Sequence, residues 1–309
     1  LRRSELKGDI LARLRRGEVL VCDGAMGTML QSMGYRPGEP PELWGLENEE
    51  ALRSIHRGYI EAGADVILTN TFGGNGIKLG RSGLGERVEE INRELARIAV
   101  DEANRSGRAV YVAGDVGPTG EFMEPLGELS EERAIEVFAQ QIEALVEGGV
   151  DLILIETMMD PKEAAAAVKA ARSVCRLPVF ASMSYNVAPD GFRTMMGTSP
   201  REAVEVLLDA GADGVGANCG DVLASMMPDL IREMRGAGAE LIVVEPNAGK
   251  PQLVEGKTVF PQTPEEMARS VPAMIEAGAN IIGGCCGTTP QHIRLIAQAV
   301  REAMGGERG

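Results

Sequence analysis

The chain has 309 residues, 44% hydrophobic and 25% charged, and its 31 basic and 46 acidic residues give a net charge of -15. Such a surface would repel a phosphate backbone rather than release its counterions, which argues against nucleic acid as a partner. No stretch approaches the ~20 consecutive apolar residues of a membrane span, and residues 1–17 are too charged for a secretory signal, so the sequence reads as cytoplasmic with no membrane partner.

In chain order, a helix is predicted over residues 4–16, within an N-terminal extension (1–17) that precedes a main domain at 18–309. The helix is expected to cover the floor of that domain. Eight buried strands follow, within 18–22, 61–70, 109–114, 147–156, 178–183, 209–218, 240–245 and 276–285. Four of these segments share one plan: EAGADVILTN, EGGVDLILIE, DAGADGVGAN and EAGANIIGGC. In each, a glycine suits the left-handed end of a helix, and the apolar run after it suits a strand buried on both faces. Amphipathic helices lie between, as in the stripe Ile135, Phe138, Ile142 and Leu145. Asp160, Ser199 and Thr263 each precede a proline and stand three residues before a glutamate, the pattern of a capped helix start. Strict alternation of buried strand and amphipathic helix predicts an α/β fold, a single (β/α)8 TIM barrel with an extra N-terminal helix.

Active sites of such barrels form at the C-terminal strand ends, where the unusual polar residues of this chain fall. Five cysteines do not suit a disulfide framework in a long chain. Cys219 ends strand six and Cys285 and Cys286 end strand eight, so the three should converge at the mouth. Three thiolates with one coordination position open match a catalytic zinc site. The histidines do not suit a fourth ligand, since His56 and His292 fall inside predicted helices. Cys22 and Cys175 read as ordinary buried cysteines. Asp23 and Glu156 directly follow apolar strands, where burial is costly unless they meet a cation or a structural partner. The glycine-rich loop 23–28 offers backbone N–H groups to a carboxylate or phosphate.

Together, DGAMGT (23–28), TNTF (69–72), NCG (218–220) and GGCCGTTP (283–290) resemble the homocysteine S-methyltransferase family, most closely the homocysteine-binding module of its cobalamin-dependent methionine synthase branch. The resemblance implies an enzyme that activates homocysteine for methylation to methionine, with zinc held by Cys219, Cys285 and Cys286. It assigns Asp23 and Glu156 to the substrate ammonium and backbone groups near Ala25 and Met26 to its carboxylate. It also makes Asn247 the occupant of the fourth zinc position before substrate arrives. DGAMGT, TNTF and DVGPTGE (115–121) point to methylcobalamin as methyl donor. Neither histidine stands in the Asp-x-His-x-x-Gly motif of a corrinoid module, so the donor is expected on another domain or protein, or free. Three alternatives remain open: betaine or S-methylmethionine as donor, a phosphate-binding barrel using the helix start at 288–290, and a non-catalytic zinc-binding barrel that docks a partner.

Overall fold

The computed structural model describes residues 7–254 and 257–305. Eight strands form one parallel sheet: β1 (Leu20–Val21), β2 (Val66–Leu68), β3 (Tyr111–Val116), β4 (Leu152–Met158), β5 (Val179–Met183), β6 (Gly214–Asn218), β7 (Ile242–Glu245) and β8 (Ile281–Ile282). Their order is β1-β8-β7-β6-β5-β4-β3-β2. A parallel bridge from Cys22 to Val66, with the Asp65 N–H donating to Val21 O at 2.7 Å and the Asp23 N–H to Val66 O at 3.0 Å, joins the two ends. The ring of eight strands inside a coat of helices is the (β/α)8 barrel expected from the alternation.

Side chains of successive strand residues point to opposite faces, and the chain uses this to build two cores. Val21, Ile67, Val112, Ile153, Val215, Val244 and Ile282 pack outward with the helices in one cluster. Leu20, Cys22, Val66, Leu68, Tyr111, Ala113, Leu152, Leu154, Phe180, Leu241, Val243 and Ile281 form the second, inside the ring. The inner layer is filled by pairing large with small. Phe180 stands opposite Gly214 across the β5–β6 ladder, where a Cβ on the glycine would lie 2.5 Å from the ring.

The N-terminal helix spans Ile10–Arg15, shorter than the predicted 4–16, of which residues 4–6 lie outside the described residues. Gly8 in a left-handed conformation interrupts the chain, and Asp9 starts the helix by accepting from the N–H of Leu11 and Ala12. Ile10 and Leu14 belong to the inner cluster, and the Tyr111 hydroxyl bonds back to Gly8 O at 3.1 Å. The helix therefore closes the barrel floor.

The capped helix starts at Ser199 and Thr263 both form reciprocal capping boxes, with Glu202 and Glu266. Asp160 caps its helix by accepting from Lys162 N, but Glu163 turns away and accepts from the N–H and hydroxyl of buried Thr119. A long-range partner outcompetes the local one. Two antiparallel hairpins, Asn186–Ala188 with Gly191–Arg193 and Gln252–Val254 with Lys257–Val259, extend the loops after β5 and β7. Alternation reading overlooked them because three-residue strands leave little pattern.

His56 lies on the buried stripe of helix Glu49–Ala62, with Leu52, Ile55, Tyr59 and Ile60, far in role from a metal ligand. Both its ring nitrogens are buried without a partner, and burial pushes its pKa down to about 4. The neutral form is thus favoured in the fold, and that contribution is present above the unfolded pKa of 6.5 and lost as pH falls toward 4. We expect His56→Leu to be spared about 2 kcal/mol of the stability that the wild type loses between pH 7.5 and 5. Urea unfolding of both proteins at the two pH values measures it, and parallel losses would refute the assignment.

Candidate functional site

Following each inward face to its C-terminal end changes the chemistry. Tyr111 and Ala113 lead to Asp115, Leu152 and Leu154 to Glu156, Phe180 to Ser182, and Leu241 and Val243 to Glu245. Asn218 ends β6 in the same layer. Asp115, Glu156 and Glu245, with Asp23 beyond β1, are four carboxyl groups each at least nine-tenths buried. Among the described residues none of them takes part in an ion pair with a basic side chain. Desolvation raises the pKa of all four; the charge of neighbouring carboxylates adds to it for Asp23, Asp115 and Glu245, and that of Cys219 for Glu156.

Asn218 is the joint of this layer. Its Oδ1 accepts from the Thr157 N–H at 2.8 Å and the Ser182 hydroxyl at 2.7 Å. Its Nδ2 donates to Glu156 Oε2 at 2.5 Å and Thr157 Oγ1 at 2.6 Å, and lies 3.8 Å from Cys285 Sγ. The residues next to these two strand ends, Thr157 and Cys219, hold φ near 57° and 56°, a left-handed conformation that costs a side-chain-bearing residue on the order of 1–3 kcal/mol. Gly220 follows at φ 63°, where a Cβ would meet Tyr185 O at 2.0 Å, so only glycine fits behind the turned cysteine.

That turn aims Cys219 at the β8 end, and the sulfurs of Cys219, Cys285 and Cys286 all lie within 4.8 Å of one another. A tetrahedral zinc with Zn–S near 2.3 Å requires sulfurs roughly 3.8 Å apart, so the trio fits such an ion with little movement. Cys219 accepts hydrogen bonds from both other thiols, which holds it far below the ordinary thiol range, while Cys285 and Cys286 are pushed up. Asn247 donates to Gly220 O at 2.9 Å with its Nδ2 3.8 Å from Cys219 Sγ, and its Oδ1 is buried with no partner. A cavity of about 530 Å³ opens onto these groups, lined among others by Cys219, Cys286, Asn247, Met159, Met195 and Phe260.

The remaining sequence candidates divide. Asp23 accepts from the Leu68 N–H at 2.9 Å, and the charge of Glu156 is one of the causes that push its pKa up. At Ala25 the N–H donates to Thr288 Oγ1 at 3.0 Å and the carbonyl accepts from Tyr59 Oη at 2.7 Å. Met26 begins helix Gly27–Ser32, which has no side-chain cap. Cys22 is buried in the inner cluster and Cys175 ends helix Pro161–Val174, both away from the trio. His292 is bound into its own helix start, with Nδ1 accepting from Thr289 N at 3.2 Å. Asp115, Asn218 and Glu245 carried no assignment from sequence. Continuing the two-residue alternation past each apolar run would have found them.

This barrel and its sulfur cluster coincide with a known pattern. A model of the homocysteine S-methyltransferase family matches residues 20–300, and the chain belongs to that family, a class of methyltransferases. Methionine synthase of Mycobacterium tuberculosis is 34% identical over 94% of this chain, and that of Mycobacterium leprae 32% over 96%. The chain spans about a quarter of the length of these relatives (25% and 26%). The homocysteine methyltransferase MmuM from Escherichia coli shares the fold. Its oxidized form has a TM-score of 0.77 at 25% identity over 94% of this chain and 99% of that one, and its metallated form 0.76 at 24% over 93% and 98%.

Removing the joint should be costly. Asn218→Ala leaves the Thr157 N–H and the Ser182 hydroxyl without their acceptor, and a loss of about 2–3 kcal/mol in urea unfolding is expected. A change within about 0.5 kcal/mol would show that Asn218 does not organise the layer.

Proposed function

We propose that this chain is a zinc-dependent S-methyltransferase that takes homocysteine as its thiol substrate and yields methionine, with a methylcorrinoid carried outside the chain as donor. The observation that carries it is the convergence of three thiols from two strand ends, within 4.8 Å, at the mouth of a barrel of this family. Cys219, Cys285 and Cys286 would hold the ion and Asn247 its fourth position until substrate arrives. Bound there, zinc supplies acidification of a thiol, so that sulfur meets the methyl group as a thiolate at neutral pH.

The other residues bind and orient. Asp23 and Glu156 supply the anionic chamber for the substrate ammonium, which answers the cost of burying carboxylates without a cation. Because the Ala25 N–H is taken by Thr288, the carboxylate contact falls to the Met26 side of the loop. The cavity beside Cys219 and Cys286, with Met159, Met195 and Phe260 on its wall, gives the substrate an apolar approach to the sulfurs.

Two features favour a large donor carrier. Relatives named methionine synthase are about four times the length of this chain. The exposed apolar side chains Phe122, Leu126, Val187, Met195, Leu253 and Val254 stand on loops after β3, β5 and β7, all on the mouth face. Among the described residues no helix is long and apolar enough to cross a membrane, and a reducing, cytoplasmic setting suits the free thiols.

Metal analysis should find one zinc per chain, lost in Cys219→Ala, Cys285→Ala and Cys286→Ala, while far-ultraviolet circular dichroism stays that of the wild type and Cys175→Ala keeps its metal. X-ray absorption should count three sulfurs around zinc before homocysteine and four after. Full zinc in the three variants would end the reading.

The donor is tested by supplying homocysteine with methylcobalamin, betaine or S-methylmethionine in turn and measuring methionine. Turnover from methylcobalamin is expected. Product from either of the others with none from methylcobalamin would replace the donor and leave the role of zinc intact.

A further inference from the structure

Beneath the proposed ammonium site, Asp115 is a buried carboxyl group for which neither the fold nor the chemistry so far has given a reason. It ends the inward face of β3, 4% exposed, and its Oδ1 is buried without a hydrogen-bond partner. The ladder pairs Asp115 with Leu154, which sets Glu156 two residues further along β4 on the same inward face. Adjacent strands and a shared inward face bring the carboxyl groups of Asp115 and Glu156 close enough to interact strongly.

Two carboxylates this close in a buried space cannot both be ionised, so the pair keeps one proton. The surrounding donors decide which group keeps it. Glu156 Oε2 accepts from Asn218 Nδ2 at 2.5 Å and from Thr157 Oγ1 at 3.1 Å, groups that stabilise an anion. Around Asp115, Thr69 Oγ1 faces the backbone N–H at 2.9 Å, and Thr71 Oγ1 at 2.7 Å and Gln141 Nε2 at 3.4 Å donate to the backbone carbonyl, so these groups leave the carboxyl unserved. The other charges facing the pair are Asp23, Glu245, Lys78 and the sulfur of Cys219. The acidic groups among these disfavour a second negative charge on the pair, and Lys78 is held over the Phe72 ring at 4.7 Å.

We propose that Asp115 is a positioning residue: as the carboxylic acid it donates its proton to Glu156 and holds Glu156 as the anion that meets the ammonium group of the amino-acid thiol. The proton then sits on a carboxyl group whose Oδ1 has no other hydrogen-bond partner among the described residues. The inference rests on the ammonium reading of Glu156.

The test separates the two. Zinc-loaded wild type, Asp115→Ala and Asp115→Asn are compared for binding of homocysteine and of butanethiol, which offers sulfur without the amino-acid end. The preference for homocysteine should fall about tenfold or more in Asp115→Ala with butanethiol binding unchanged, and Asp115→Asn, whose amide still donates, should stay within about threefold of wild type. Asp115→Val fills similar space without a donor and carries the comparison if the alanine variant does not fold. Preference retained in the donor-less variants, or lost equally in Asp115→Asn, overturns the proposal alone. A wild type that binds homocysteine no better than butanethiol overturns the ammonium reading and the proposal with it.

Discussion

A closed ring of parallel strands forces every second side chain into a space that has no outlet except its two ends. That constraint organises the whole molecule. The lower levels are filled with leucine, valine, isoleucine, tyrosine and phenylalanine, and the floor is sealed by Ile10 and Leu14. At the top, the last inward position of a strand is where polar side chains can face both a ligand and a rigid frame. Asp115, Glu156, Ser182, Asn218 and Glu245 occupy it.

Filling that level with acids has an electrostatic consequence. Four buried carboxyl groups and three clustered sulfurs gather at one end of the ring with no basic side chain ion-paired to the carboxyls among the described residues. Such a chamber relieves its self-repulsion by keeping protons or by taking in cations, and the same groups therefore favour a metal ion beside the sulfurs and an ammonium group beside the carboxylates. Backbone strain falls at the same level. Among the described residues, the two side-chain-bearing ones with left-handed backbone are Thr157, which Asn218 holds by two hydrogen bonds, and Cys219, which follows Asn218 in the chain.

The barrel was legible because its signals are local and repeated: glycine at a helix end, then a doubly buried strand, four times in nearly the same words. The sulfur trio was legible because cysteines at two strand ends of a barrel must approach one another whatever the details. The hairpins after β5 and β7 were not legible, since three-residue strands carry no period. Glu163 could not be read either, because its competition between its own helix start and Thr119 is settled by a contact 44 residues away. Nor could Ala25, whose N–H is claimed by Thr288 from across the closed seam of the ring.

What the sequence by itself determined is therefore the periodic part: eight strands, the helices between them, and which residues end each strand. Those follow from propensity, capping and alternation, all of which act over a few neighbours. Only the tertiary structure decided which end residues touch. The approach of Asp115 to Glu156, the four-way role of Asn218 and the left-handed turn at Cys219 depend on ring closure and strand register, which bring together side chains dozens of residues apart. The sequence names the members of the chamber, and the stagger of the strands determines how their charges and protons are shared.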